Sequence, residues 1–309
     1  MTERGTMLTH VVVAVTGAGE TAAVRYAAAE ALRLEAPLLI VHVLPVTLPV
    51  GPMVLYPEDS FQAHGADVLD AARRLALEIA PELEVRTDLR AGGRVHELVG
   101  AAEGAALLVV GRRASSTLDR VWTGGTLTGV VARADCSVTV VPAEWEGGPD
   151  RMRVVAGFKS PQHAPELLAA AFARATQLGA ELVVLHAWRL PGAYDALVAE
   201  RVQDATLNRE QKDAVWKAVS ETAEAFPDVP VRVQVVHVPP AEALAEASRE
   251  AGLLVLVRPA HGSLVHHLGR TARTVLRESS CPVEVVVPTS AAEAPVPPLV
   301  LEREGHLVR

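Results

Sequence analysis

The residues best suited to chemistry lie in one stretch, Gly111-Arg112-Arg113-Ala114, then residues 115–123, then Gly124-Gly125-Thr126. Glycine lets a backbone approach a ligand with no Cβ in the way, so successive N–H groups at a strand-to-helix junction can line an anion site. A helix N-terminus adds free donors and a favourable dipole. Arg112 and Arg113 could add charge, and Thr126 could cap the helix or reach a phosphate. The pattern is a phosphate cradle in principle. Catalytic chemistry finds less material. No G-x-S-x-G elbow, H-E-x-x-H pair or Walker pattern occurs, and nothing pairs a nucleophile with a base at interpretable spacing.

Other chemistry-bearing residues have plainer readings. Gly17-Ala18-Gly19-Glu20-Thr21-Ala22 matches a loose dinucleotide fingerprint, but Val41-His42-Val43-Leu44-Pro45 ends the second strand without an acid to hold a ribose, which argues against a nicotinamide oxidoreductase. His261, His266 and His267 cluster in a loop that has no cysteine or carboxylate, so a solvated loop is preferred over a metal centre and no metal is expected. His42 and His186 sit inside apolar strands as hydrogen-bonded core residues. Cys136 and Cys281, the two cysteines, are read as small buried side chains. Ser115, Ser116 and Thr117 could carry a modification whose charge would repel a phosphate.

These positions depend on the elements around them. Residues 11–15, 38–43, 84–89, 107–110 and 138–141 are short apolar or alternating runs with strand character. Residues 21–34, 61–79, 95–102 and 127–134 carry apolar side chains at helical spacing. The order β-α-β-α-β-α-β-α-β, with strands this apolar, predicts a parallel sheet between helical layers. The pattern then recurs. His42 and His186, Gly124 and Gly269, and Cys136 and Cys281 repeat at a spacing of about 145 residues, the sign of an internal duplication. The expected layout is a first domain over 1–143, a linker over 144–151 with Gly147-Gly148-Pro149, a second domain over 152–288 and a tail over 289–309. Ser160-Pro161 predicts an N-cap and first helical residue. Residues 45–57, rich in Pro, Val and Leu, form a loop at the carboxyl end of the first sheet and a candidate lid.

At 309 residues, with 50% apolar and 21% charged residues, the chain has enough material for two globular cores. Its net charge of −8 and lack of a polybasic run argue against nucleic acid and anionic membranes. No secretory signal or membrane-length apolar run is present, so a cytoplasmic protein is expected. Lys159, Lys212 and Lys217 are the only lysines, and the preference for Arg hints at a high-GC bacterial genome.

Gly111 to Thr126, followed by Ala134-Asp135-Cys136-Ser137-Val138 and, in the second copy, Ser280-Cys281-Pro282-Val283, resembles the universal stress proteins. Their nucleotide-binding members carry Gly-x2-Gly-x9-Gly-Ser/Thr at this junction. The resemblance covers residues 8–142 and 152–288. It implies two tandem adenine-nucleotide alpha-hydrolase-like domains, each with a five-stranded parallel sheet between helices, in a stress-response binding or signalling protein. It also implies ATP or a related adenine nucleotide, with Mg²⁺ as its companion, and slow ATP hydrolysis at most. Subunits of the family often pair through their last strands, which here implies an intramolecular pseudo-dimer with surfaces left for homodimerisation. The rival reading is a nucleotide-independent interaction scaffold.

The departures matter. The second motif glycine is Ala114, the hydroxyl position is Gly125, and Thr16 stands where the family places an aspartate near the ribose. Val41 falls where second-strand backbone would meet adenine. The second copy departs further, with Phe158 for the aspartate, Val257 and Ala260 for the first two glycines, and Gly269-Arg270 at the helix entry. Its site reads as degenerate.

Overall fold

The computed structural model describes residues 10–17, 20–45, 58–112, 119–147, 152–189, 205–258 and 268–287. The first half runs β1 (Val11–Val15), α1 (Thr21–Arg33), β2 (Leu38–Pro45), α2 (Glu58–Ile79), β3 (Val85–Gly92), α3 (Arg94–Ala101), β4 (Leu107–Arg112), α4 (Asp119–Arg133) and β5 (Ser137–Pro142). The second runs β6 (Arg153–Gly157), a 3₁₀ turn (Pro161–His163), α5 (Ala164–Leu178), β7 (Glu181–Ala187), α6 (Ala205–Ala223), β8 (Val231–Val236), α7 (Pro240–Ala247), β9 (Leu253–Val257), α8 (Arg270–Glu278) and β10 (Val283–Val286). β1, all Val and Ala, is buried along its whole length, as a strand covered on both faces must be.

The strands form one ten-stranded sheet in the order β3-β2-β1-β4-β5-β10-β9-β6-β7-β8. Neighbours within each half are parallel. The halves join through the last strand of each, β5 and β10, which pair antiparallel with Val140 opposite Val283, Thr139 opposite Glu284 and Val138 opposite Val285. The pairing expected of the last strands therefore occurs within one chain. Because that central pair is antiparallel, the carboxyl ends of the first half's strands and those of the second half's point to opposite edges of the sheet.

Two expectations about helix starts need correction. α4 begins at Asp119, well before residue 127, so Gly125 and Thr126 lie inside the helix and not at its first turn. The stretch from Asp119 to Trp122 contains no breaker, and a glycine inside a helix costs only about 1 kcal/mol. Ser160 precedes the short 3₁₀ turn and makes no capping bond; α5 starts at Ala164, with Pro165 in its first turn. The candidate lid beyond Pro45 and the tail lie outside the described residues, as do His261, His266, His267 and Ser115 to Thr117. Cys136 and Cys281 are buried free thiols. Among the described residues no helix is long and apolar enough to cross a membrane.

The two faces of the sheet are closed differently at the junction. On the face covered by α3, α4, α7 and α8, one apolar core runs unbroken from Val12 and Val41 through Val138 and Val283 to Leu254. On the other face the cores stay separate, one under α1 and α2 and one under α5 and α6. Buried polar side chains fill the space between them. Arg174 on α5 donates to Glu30 on α1 at 2.6 Å and to the Tyr26 hydroxyl at 2.9 Å. Its Nε lies 3.0 Å from Glu284 on β10, a charge contact without hydrogen-bond alignment. Glu30, Arg174 and Glu284 are each less than 10% exposed. Arg33 also pairs with Glu30, and Trp145, in the connector, meets Tyr26 edge-on at 5.4 Å.

Removing one member of such a group leaves the others charged and dry. Arg174→Met is expected to cost about 3–5 kcal/mol, while replacing Glu30, Arg174 and Glu284 together by Met recovers most of the loss, both measured by urea unfolding. Burial raises the Glu284 carboxyl above the ordinary carboxylate range, against the pull of Arg174. A carboxyl whose folded value is raised holds its proton more tightly in the native state, so its ionisation removes stability as pH climbs above the unfolded value of about 4.3. Glu284→Gln is therefore expected to gain on the parent as pH rises from about 4 to 7. A difference in unfolding free energy that stays flat or falls over that range contradicts this assignment.

Candidate functional site

In the order β3-β2-β1-β4-β5 the chain moves outward from β1 in one direction and then returns to β4 on its other side. The carboxyl ends of β1 and β4 are thus a switch point, where open α/β sheets hold ligands. Three residues meet there. Thr16 follows β1, Glu20 precedes α1, and Gly111 lies near the end of β4. The Thr16 hydroxyl donates to Glu20 Oε1 at 2.8 Å, and the Thr16 N–H donates to the other carboxylate oxygen. Glu20 is buried, 7% exposed, with its stem against Gly111: a Cβ on Gly111 would come within 3.2 Å of Glu20 Cγ. Glycine at 111 thus makes room for the carboxylate.

Glu20 is the residue that sequence reasoning passed over. It figured only as a filler position of a glycine fingerprint, and its burial depends on Gly111, far away in the chain. An acid directly before the helix that follows β1 was the available signal, since a carboxylate is favoured at a helix N-terminus.

The other expected residues divide. Val41 is fully buried in the ladder between Ala14 and Asp88, short of the edge from which Thr16 emerges. Ala114 lies outside the described residues, and Gly124, at the sixth position of α4, is placed as backbone only. Gly125 faces open space. Arg112, expected to add charge for a phosphate, donates at 3.2 Å and 2.7 Å to the carbonyls of Leu276 and Ser279, at the end of α8 in the second half. Burial pulls its guanidinium below the ordinary value, with Glu144 opposing.

The second half repeats this contact in reverse. Arg258, just after β9, donates at 3.1 Å and 2.8 Å to the carbonyls of Val131 and Ala134, at the end of α4. The last carbonyls of a helix have no intrahelical partner and carry the negative end of its dipole, so a guanidinium satisfies both needs. His42 and His186 form another matched pair, each bonding through Nδ1 to the carbonyl that ends or follows the first strand of its half, Val15 at 2.8 Å and Phe158 at 3.0 Å. Of the remaining positions, Phe158, Val257, Gly269 and Arg270 border one cavity, and Ala260 lies outside the described residues.

The sequence model of the Universal stress protein family matches this chain twice, over residues 7–142 and 151–287. The chain belongs to the universal stress protein family. A universal stress protein of Mycobacterium tuberculosis is 31% identical over 301 residues, covering 89% of this chain and 96% of that one. One from Mycolicibacterium smegmatis is 28% identical over 278 residues, covering 86% and 92%. A solved universal stress protein from Archaeoglobus fulgidus shares the fold at a TM-score of 0.62 with 19% identity, covering 90% of this chain and 96% of that one. Both universal stress protein units are thus present in tandem.

Hydrogen bonds from a charged donor contribute about 1.5–3 kcal/mol. Arg112→Ala and Arg258→Ala are each expected to lower stability by about that amount, and the two losses should add to within about 0.5 kcal/mol because the contacts share no partner. Chemical denaturation of the single and double variants checks this; two neutral singles would show the arginines to be bystanders.

Proposed function

We propose that this protein is a stress-response binding module whose first domain takes an adenine nucleotide at the switch point between β1 and β4, with the second domain as its permanent partner. The observation that carries this reading is the convergence of Thr16, Glu20 and Gly111. Where nucleotide-binding relatives place an aspartate after the first strand, this chain has Thr16, and Glu20 brings a carboxylate back to the same place. A carboxylate has about four acceptor sites. Thr16 donates to both of its oxygens, and a carboxylate beside the end of the first strand is the class of acceptor that the hydroxyls of a ribose seek. The nucleoside end therefore fits the residues present. The phosphates would fall to the glycine motif that begins at Gly111, as the sequence pattern implies. Among the described residues no group of three His, Cys, Asp or Glu is placed to hold a metal, so Mg²⁺ would arrive on the phosphates of the nucleotide. Binding without turnover, or with slow hydrolysis at most, is the expected behaviour in the cytoplasm.

A second reading has its own support. Arg112, inside the motif, bonds to the other half, which favours a nucleotide-independent scaffold that pairs with further copies or proteins.

Titration calorimetry with ATP and Mg²⁺ separates the two. One equivalent per chain is expected, with binding reduced at least about tenfold in Glu20→Ala and abolished in Gly111→Val, whose new side chain displaces Glu20. At a ligand concentration about 100 times Kd, the parent protein should gain about 2.7 kcal/mol against unfolding and the Gly111→Val variant nothing. Neither heat nor a melting shift in the parent protein would leave the scaffold reading in place.

A further inference from the structure

The second domain has a switch point of its own, between β6 and β9 at the opposite edge of the sheet, and it contains a cavity of about 320 Å³. Phe158, Leu185, Leu244, Leu256 and Leu268 form its buried apolar lining. Its charged and polar lining is one-sided. Lys159 and Arg270 are exposed at its edge, His163 and Thr271 stand beside them, and no carboxylate borders it among the described residues.

This chemistry differs from that of the first domain. Glu20, the acceptor suited to ribose hydroxyls, has no counterpart here. The backbone of Phe158 is committed, its N–H to the Leu185 carbonyl at 2.9 Å and its carbonyl to His186 at 3.0 Å. Its ring fills the space beside them, 5.7 Å from the His186 ring. A mainly apolar chamber with two cations at its rim suits a ligand with a large apolar body and a single negative end. Polar groups at the rim then set its orientation, as in small-molecule pockets generally. The volume equals that of roughly ten water molecules, which corresponds to a ligand of about ten to fifteen non-hydrogen atoms.

We infer that the second domain binds a compact organic monoanion, a carboxylate or sulfonate on an aliphatic or aryl body. The body lies against Leu244, Leu256 and Leu268, and the anion meets Arg270, whose planar fork matches a carboxylate, with Lys159 as the second charge. This site is independent of nucleotide binding in the first domain.

The test uses the full chain and 4-phenylbutyrate as probe, with 4-phenylbutanol and 4-phenylbutylamine as neutral and cationic counterparts, in titration calorimetry. One equivalent of the acid is expected to bind, the alcohol about tenfold more weakly and the amine not at all. Lys159→Gln with Arg270→Gln, both at exposed positions, should weaken the acid at least about tenfold without moving the melting temperature. Ala272→Trp should remove binding by filling the chamber. The Glu20→Ala chain should bind the acid as the parent does, which keeps this result separate from the nucleotide reading. No heat at millimolar acid, equal affinity for acid and alcohol, or full binding by the double-Gln variant overturns the inference. Displacement of the acid by ATP in the Glu20→Ala chain does so too, because the chamber would then be a nucleotide site.

Discussion

The ion group of Glu30, Arg174 and Glu284 constrains everything else in this molecule. Each of these side chains is removed from water, and isolated charges there would cost several kcal/mol apiece. They are tolerable only because α1 from one half meets α5 and β10 from the other. A shift of one half against the other would therefore expose the group to water or leave its charges unpaired. On the opposite face the junction needs no such device, since apolar side chains pass from one half to the other without a break. One face thus supplies adhesion and the other supplies register.

The group also shows what tandem fusion permits. Glu30 and Arg174 hold matching places on α1 and α5, and Thr139 and Glu284 matching places on β5 and β10. Two first domains paired by the same geometry would set Glu30 against its own copy, and two second domains would do the same to Arg174. Like charges without water between them repel strongly. The difference between the copies at these positions therefore favours the pairing of unlike halves.

The antiparallel centre places the two candidate sites at opposite edges of the sheet, yet helices connect them. α8 begins at the rim of the second cavity, at Gly269 and Arg270, and ends in the carbonyls held by Arg112, one residue beyond Gly111. α4, which follows β4 and its glycine motif in the sequence, ends in the carbonyls held by Arg258, one residue beyond Val257. Each site therefore has a flanking arginine that grips a helix rooted at the other. Arg112 and Arg258 act first as joints between domains, and this accounts for the burial of Arg258 and the half-burial of Arg112.

The duplication, the apolar strands and the alternation with helices were legible in the sequence because each is a local or periodic property. Strand composition and helical spacing report burial without reference to any particular partner. The glycine at 111 was legible as well, although what it accommodates was not. Glu20, Arg174 and Arg258 look in the sequence like ordinary charged residues, Arg112 reads there as a phosphate ligand where the fold makes it a helix clamp, and α4 starts earlier than the glycines at 124 and 125 suggest. Only the tertiary structure decided which charges face one another, because a charged side chain takes its role from the group opposite it. For these residues that group lies across the fold, a relation that no local pattern records.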